Sequence, residues 1–228
     1  MRYLFAVIRA VTGLGILAAV VAQLVHSIER TADGGGDLAA MVVNFFSFFT
    51  IDSNVLAMAA ALIGAVLLLM RSGATEPTWF TTLRLAAVTY MTVTLVVYNL
   101  LLRGIELPQG QTVPWSNEIL HVVGPLLVLI DWLFAPGRNR LEWNRLGVVV
   151  IFPVVWTAYT LIRGPFGVDP VSGLAPWYPY PFMNPDTSPN GYLSVAFYVI
   201  IITGIFLATA AGAIAVSRRW KTAPIVPV

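Results

Sequence analysis

Residues 44–54 read NFFSFFTIDSN: Asn44, Ser47, Thr50, Asp52, Ser53 and Asn54 set among four phenylalanines, inside an apolar run that extends from 39 to 70. Polar side chains in hydrocarbon cost free energy unless they are paired or line a wet cavity. If this run crosses a bilayer, other spans must bring polar groups to the same height.

The rest of the chain supplies the spans. Of 228 residues, 58% are hydrophobic and 11% charged, with mean hydropathy +0.81, whereas soluble domains carry roughly 25% charged residues. Apolar runs of the ~20 residues needed to cross a bilayer recur near 4–26, 39–70, 80–102, 116–134, 146–163 and 191–216. The fold predicted is all-α, a polytopic membrane bundle of six transmembrane helices forming a single domain over 1–228. Arg9 interrupts the first run, and LAAVVAQLVHS continues it past any convincing cleavage site, so it reads as a helix and not a signal peptide. The absence of cysteine excludes disulfides, thiolate catalysis and Cys-ligated metals. A net charge of +2 is too small for a nucleic-acid partner.

Lysine and arginine mark the cytoplasmic side. Placing both termini inside puts Arg2, Arg9, Arg71, Arg84, Arg138, Arg140, Arg145, Arg218, Arg219 and Lys221 there, and leaves only Arg30, Arg103 and Arg163 outside. Glu29, Asp33, Asp37, Glu106, Asp169 and Asp186 fall on the outer face. The expected location is a plasma membrane, multi-pass, N and C termini inside. The outer connection 164–190 holds seven prolines and several aromatics. It reads either as a semi-rigid cap on the outer surface or as a passive interfacial loop. DGGGD at 33–37 reads as a flexible turn.

Counting helical rise from the cytoplasmic ends places polar groups of four spans at one outer level. Thr50 lies ~30 Å above Met70 and His121 ~20 Å above Phe134 along their axes. Asn99 and Arg103 end the third span, and Tyr159 and Arg163 end the fifth. Spacings of three and four put Ser47, Thr50 and Asn54 on one face, and likewise Asn117, Glu118 and His121. These groups suggest one polar pocket open to the outer leaflet or the exterior. Each has a plainer alternative: Thr50 bonding its own helix, His121 as a structural hydrogen-bonder, Arg103 and Arg163 reaching for phosphates. Asp131, near the cytoplasmic end, is expected to pair with a loop arginine. No G-x-S-x-G, H-E-x-x-H or glycine-rich phosphate loop occurs.

FFTIDSN, WSNEILHVVGPLLVLID and PWYPYPF, in that order on six spans, resemble the bacterial Pr6Pr membrane proteins. More distantly they resemble the androgen-induced protein family, which includes the androgen-dependent regulator of tissue factor pathway inhibitor. That family is known as intramembrane threonine hydrolases acting on fatty acid esters of hydroxy fatty acids. The resemblance implies Thr50 as nucleophile and His121 as catalytic histidine. It aligns Asn117, Pro125 and Asp131 around the histidine, Arg103 at the end of the third span, and Trp177, Tyr180, Pro181 and Phe182 with an aromatic motif. Where the family has an acid three residues after the threonine, this chain has Ser53.

The chemistry expected is ester hydrolysis: Thr50 attacks a carbonyl while His121 takes its proton. Glu118, Asn117, Tyr98 or Asn99 would orient His121, and Ser47, Asn54 or Asn99 would face the oxyanion. Arg103, Arg163, Tyr159, Trp177, Tyr180 and Phe182 would contact substrate, the arginines through a lipid carboxylate. The partner is a membrane lipid or lipid ester; no metal or cofactor is implied. The alternative is a non-enzymatic lipid-binding or lipid-transport protein using the same pocket. A haem protein using His26 and His121 is a third reading.

Overall fold

In hydrocarbon every backbone N–H and C=O must be satisfied within its own segment, so apolar runs of this length become helices. The computed structural model describes residues 1–70, 75–105 and 111–219, which hold helices and loops with no strand. The helices are α1 (Arg2–Asp33), α2 (Leu38–Phe45), α3 (Phe49–Met70), α4 (Thr78–Val97), α5 (Pro114–Glu118), α6 (Gly124–Phe134), α7 (Arg145–Arg163) and α8 (Tyr192–Arg219). A π-helical turn, Tyr98–Leu102, extends α4, and another, Ile119–Val123, joins α5 to α6 as one span. Six of these segments are long and apolar enough to cross a membrane. Arg71, Glu106 and Lys221, used in the charge count, lie outside the described residues.

α4 is central, packing against α3, α6 and α8, while α1 lies along α3. Small residues on α3, among them Ala57, Ala60, Ala61 and Gly64, let α1 come close. α7 is peripheral and leans mainly on α8 and α4. One buried cluster joins Ile16, Met41, Ala57, Met91 and Leu120; another joins Phe49, Tyr90, Trp132, Phe206 and Ile214.

The structure places Asp131 with two span arginines instead of a loop arginine. Its carboxylate accepts from Arg9 Nε at 2.7 Å and from Arg84 Nη2 at 2.7 Å, and Glu76 accepts from the same two guanidinium groups at 2.9 and 2.7 Å. Arg9, Glu76 and Arg84 are buried. Arg9 also donates to the Gly64 carbonyl at 3.0 Å. A Cβ on Gly64 would sit 2.8 Å from that guanidinium, so the glycine makes room for the charge. Removed from water, four charges are tolerable only because they alternate and hydrogen-bond one another.

The turn over 33–37 is fitted rather than free. Asp37 N–H donates to the Pro170 carbonyl at 2.7 Å, and a Cβ on Gly36 would lie 2.4 Å from that oxygen. Gly35 takes a left-handed φ of 66°. At the other end of the 164–190 segment, the Tyr178 ring sits where a Cβ of Gly164 would be, 1.9 Å away. The segment is therefore held against α2 and α7 at named points.

Candidate functional site

The run 39–70 is not one helix: it breaks between α2 and α3. The cause is side-chain competition, since no glycine or proline lies there. Ser47 Oγ takes the Val43 carbonyl at 2.7 Å, four residues back. The Ser47 and Phe48 N–H groups then reach only three residues back, to Asn44 and Phe45. Groups from α7 meet what the break exposes: Trp156 Nε1 donates to the Ser47 carbonyl at 3.1 Å and Tyr159 OH meets Ser47 Oγ at 2.8 Å. The consequence is that Thr50 sits in the first turn of the 22-residue α3, at the positive end of its dipole.

The fourth span is distorted at the same level. Pro125 has no N–H to give, and the Gly124 N–H reaches back five residues to the Ile119 carbonyl. The Leu120 carbonyl thus loses its helical donor. Asn54 replaces it, donating through Nδ2 at 3.0 Å to Leu120 and at 2.8 Å to Thr50 O. This fully buried amide fixes α3 against the π-turn that carries His121. π-turns of this kind recur at functional sites, and the second one begins at Tyr98, whose ring stacks on His121 with centroids 4.0 Å apart.

Thr50 Oγ1 lies 3.3 Å from His121 Nε2 and 3.2 Å from Tyr180 OH. His121 Nδ1 is 2.9 Å from the Asn117 carbonyl, which can only accept, so Nδ1 carries the hydrogen and Nε2 offers its lone pair to Thr50. Tyr180 OH accepts from the Thr50 N–H at 3.1 Å. Its own hydrogen is then available to Thr50 Oγ1. The polarity of the chain is consistent throughout: Tyr180 O–H to Thr50 O–H to His121 Nε2. Burial pushes the Tyr180 phenol up to about 12, although its bonds with Thr50 pull the other way, so it remains a donor at neutral pH.

Thr50, Tyr98 and Tyr180 open onto a cavity of about 360 Å³ between α4, α7, α8 and the 181–183 turn. That is within the ordinary range for small-molecule sites. None of the described residues lining it is charged. Its walls include Val93, Val97, Val150, Ile202 and Phe206. Pro153 stands inside α7 beside it, and the carbonyl that the proline deprives of a donor, Val149 O, receives the Tyr90 hydroxyl at 2.7 Å. Phe182 stacks on Tyr180, centroids 5.2 Å apart, and also lines the cavity.

The other residues expected at the site are placed elsewhere. Asn99 bonds its own helix at Leu95 and is exposed. Glu118 pairs with Arg103 at 3.0 Å on the surface and does not orient His121; the Asn117 backbone does, while the Asn117 side chain donates to Tyr98 OH at 2.6 Å. Ser47 and Tyr159 pair with each other at the helix break. Arg163 donates to Asn44 at 2.6 Å and stacks over Trp177, joining α7, α2 and the cap segment. Neither arginine lines the cavity. The contact that sequence reasoning missed is Tyr180 on Thr50. Its only signal was the aromatic motif, which suggested substrate contact.

Among the described residues no three His, Asp or Glu side chains converge as a metal site. No protein-family model, curated protein or solved structure matches the chain.

Proposed function

We propose that the chain is an integral membrane hydrolase of lipid esters, with Thr50 as nucleophile and His121 as general base. The observation that carries this is the 3.3 Å approach of Thr50 Oγ1 to a His121 Nε2 whose other nitrogen is committed to the Asn117 carbonyl. A threonine hydroxyl is a weak nucleophile until a neighbouring base removes its proton. In the proposed reaction Thr50 Oγ bonds to the ester carbonyl carbon as its proton passes to Nε2. The Tyr180 hydroxyl and the α3 N-terminus stabilise the negative oxygen that develops. The C–O bond to the alcohol then breaks, and the alcohol leaves with the proton held by His121. Water, deprotonated by His121, cleaves the acyl–Thr50 ester, releasing acid and restoring the hydroxyl. The motif resemblance to the androgen-induced protein family supports the same pair, with fatty acid esters of hydroxy fatty acids as the first substrates to try.

The charge distribution supports an orientation with both termini cytoplasmic, and the resemblance to the bacterial Pr6Pr proteins supports a bacterial plasma membrane. In the folded chain Arg9 and Arg84 are bound in buried ion pairs, so among the described residues the surface signal comes from Arg2, Arg140, Arg145, Arg218 and Arg219. The test of topology is simple because the chain has no native cysteine. A Ser172→Cys variant in intact cells should react with a membrane-impermeant maleimide; protection until lysis would reverse the orientation.

The uncharged cavity favours a second reading, a lipid-binding or lipid-transport protein. Treatment of purified protein with a fluorophosphonate, followed by peptide mass spectrometry, separates the two. Hydrolysis predicts an adduct on Thr50 that disappears in His121→Ala. A folded wild type that gives no adduct, yet co-purifies with lipid, favours transport or binding.

A further inference from the structure

The cavity beside Thr50 is not sealed toward the bilayer. Val154 and Ala158, one turn apart on α7, line it and are exposed; so are Thr203 and Leu207, one turn apart on α8. Val154 is 59% exposed and Leu207 39%. Four residues that are both lining and exposed, two on each of two neighbouring helices, describe a gap between α7 and α8. Its height follows from the helical rise of ~1.5 Å per residue: Val154 stands roughly 14 Å above the start of α7, and Leu207 roughly 18 Å from the end of α8. The gap therefore faces the hydrocarbon core and not the headgroups.

The side that meets the gap is uncharged from end to end and mostly apolar, with Thr157 and Thr203 its hydroxyl-bearing residues. Along α7 the lining runs from Val150 to Leu161, roughly 16 Å of helix. The reactive hydroxyl opens onto this length and no lining residue is charged. Arg103 and Arg163, the cations nearest in sequence to the site, are occupied by Glu118 and by Asn44 with Trp177. A chamber that opens sideways into lipid tails, carries no charge and presents a hydroxyl on its wall fits an alkyl chain attached to a carbonyl.

We infer that this chamber is an acyl-binding site loaded laterally from the bilayer through the α7–α8 gap. Its ligand class is an ester whose acyl half is one long, uncharged chain. The inference rests on the hydrolase reading for the carbonyl's position at Thr50, but not for occupation of the chamber. Selectivity then belongs to the acyl half, and the alcohol half stays toward Tyr98 and the outer surface.

The test uses two probe types on the full chain in phosphatidylcholine vesicles. Ethyl and hexadecyl fluorophosphonates report the rate of adduct formation at Thr50. Ethyl palmitate carrying a mid-chain diazirine reports occupation by photo-crosslinking. Ala158→Trp and Thr203→Trp obstruct the gap; Ile162→Trp, at a position 71% exposed and outside the lining, is the control. Wild type and control should react at least about tenfold faster with the hexadecyl probe, the equivalent of about two buried methylenes. The gap variants should lose that preference, and near-UV circular dichroism matching wild type shows that they fold. Crosslinks should fall on interior residues such as Val93, Val97 and Phe206. Thr50 labelling without chain-length preference, a preference untouched by both tryptophans, or crosslinks confined to outward-facing residues each overturns the inference. Interior crosslinks with no Thr50 adduct from either probe remove the hydrolase reading and leave the acyl site standing.

Discussion

Replacing Asp131 with alanine removes one carboxylate from a buried set of four charges. Arg9 Nε at 2.7 Å, Arg84 Nη2 at 2.7 Å and Arg84 Nε at 3.1 Å all lose the carboxylate, and Arg84 Nη2 keeps only the residue-131 carbonyl at 2.9 Å. Glu76 remains as the one carboxylate of the set, facing two guanidinium groups. Removing one partner of a buried ion pair costs ~3–5 kcal/mol because a charge is left unmet. For a chain of this length that corresponds to a fall in Tm of about 6–20 °C. Thermal unfolding of purified protein in mild detergent, followed by near-UV circular dichroism, measures it. The informative companion replaces the whole set: Arg9→Met, Glu76→Leu, Arg84→Met and Asp131→Leu together. If the cost lies in the unmet charge and not in the loss of attraction, the fourfold variant should recover most of the loss. A single variant within about 1 kcal/mol of wild type, or a fourfold variant no better than the single one, would refute the reasoning.

Tyr180→Phe deletes the hydroxyl bonded to Thr50 and keeps the ring stacked on Phe182; Thr50 adduct formation should slow about 10²-fold, while stability falls by only ~1 kcal/mol. The pH dependence follows from the same phenol. Its pKa is raised by burial to about 12, whereas the unfolded chain releases the proton near 10. The stability it contributes is therefore complete below pH 10 and declines as pH rises toward 12, a decline that should be smaller in Tyr180→Phe when Tm is measured against pH. Gly164→Ala places a methyl group 1.9 Å from the Tyr178 ring, so limited proteolysis within 164–190 should accelerate. Gly147→Ala, in open space on α7, should leave proteolysis unchanged and stabilise by ~0.5–1 kcal/mol.

The six spans were legible because hydropathy reports directly on transfer into lipid. Helix starts and ends fell within a few residues, apart from α1, which continues to Asp33, and the break before α3. That break joins a local bond, Ser47 Oγ to the Val43 carbonyl, to contacts from Trp156 and Tyr159 more than a hundred residues away, and a serine in an apolar run does not announce the distant half. Height along a helix was also readable: it put Thr50 and His121 at one level, and the structure brings them to 3.3 Å. Direction around the axis was not. Asn99 and Arg103 share a face by spacing, but spacing cannot say which neighbour that face meets. Glu76 was invisible for another reason. It sits between apolar runs, where an acid is ordinarily solvated, and only the packing of α1, α4 and α6 shows it buried against two arginines.

Pro125 and Pro153 each leave a carbonyl that only a side chain from another span can reach, Asn54 in one case and Tyr90 in the other. In such a pair the side chain is the member that is costly to change alone. Losing the side chain strands a carbonyl in hydrocarbon, a penalty of ~1–3 kcal/mol. Losing the proline restores a helical donor and makes the side chain redundant. The two pairs therefore behave as linked letters in the sequence. Drift at one position opens the other to change, and descendants of this chain should gain or lose both together.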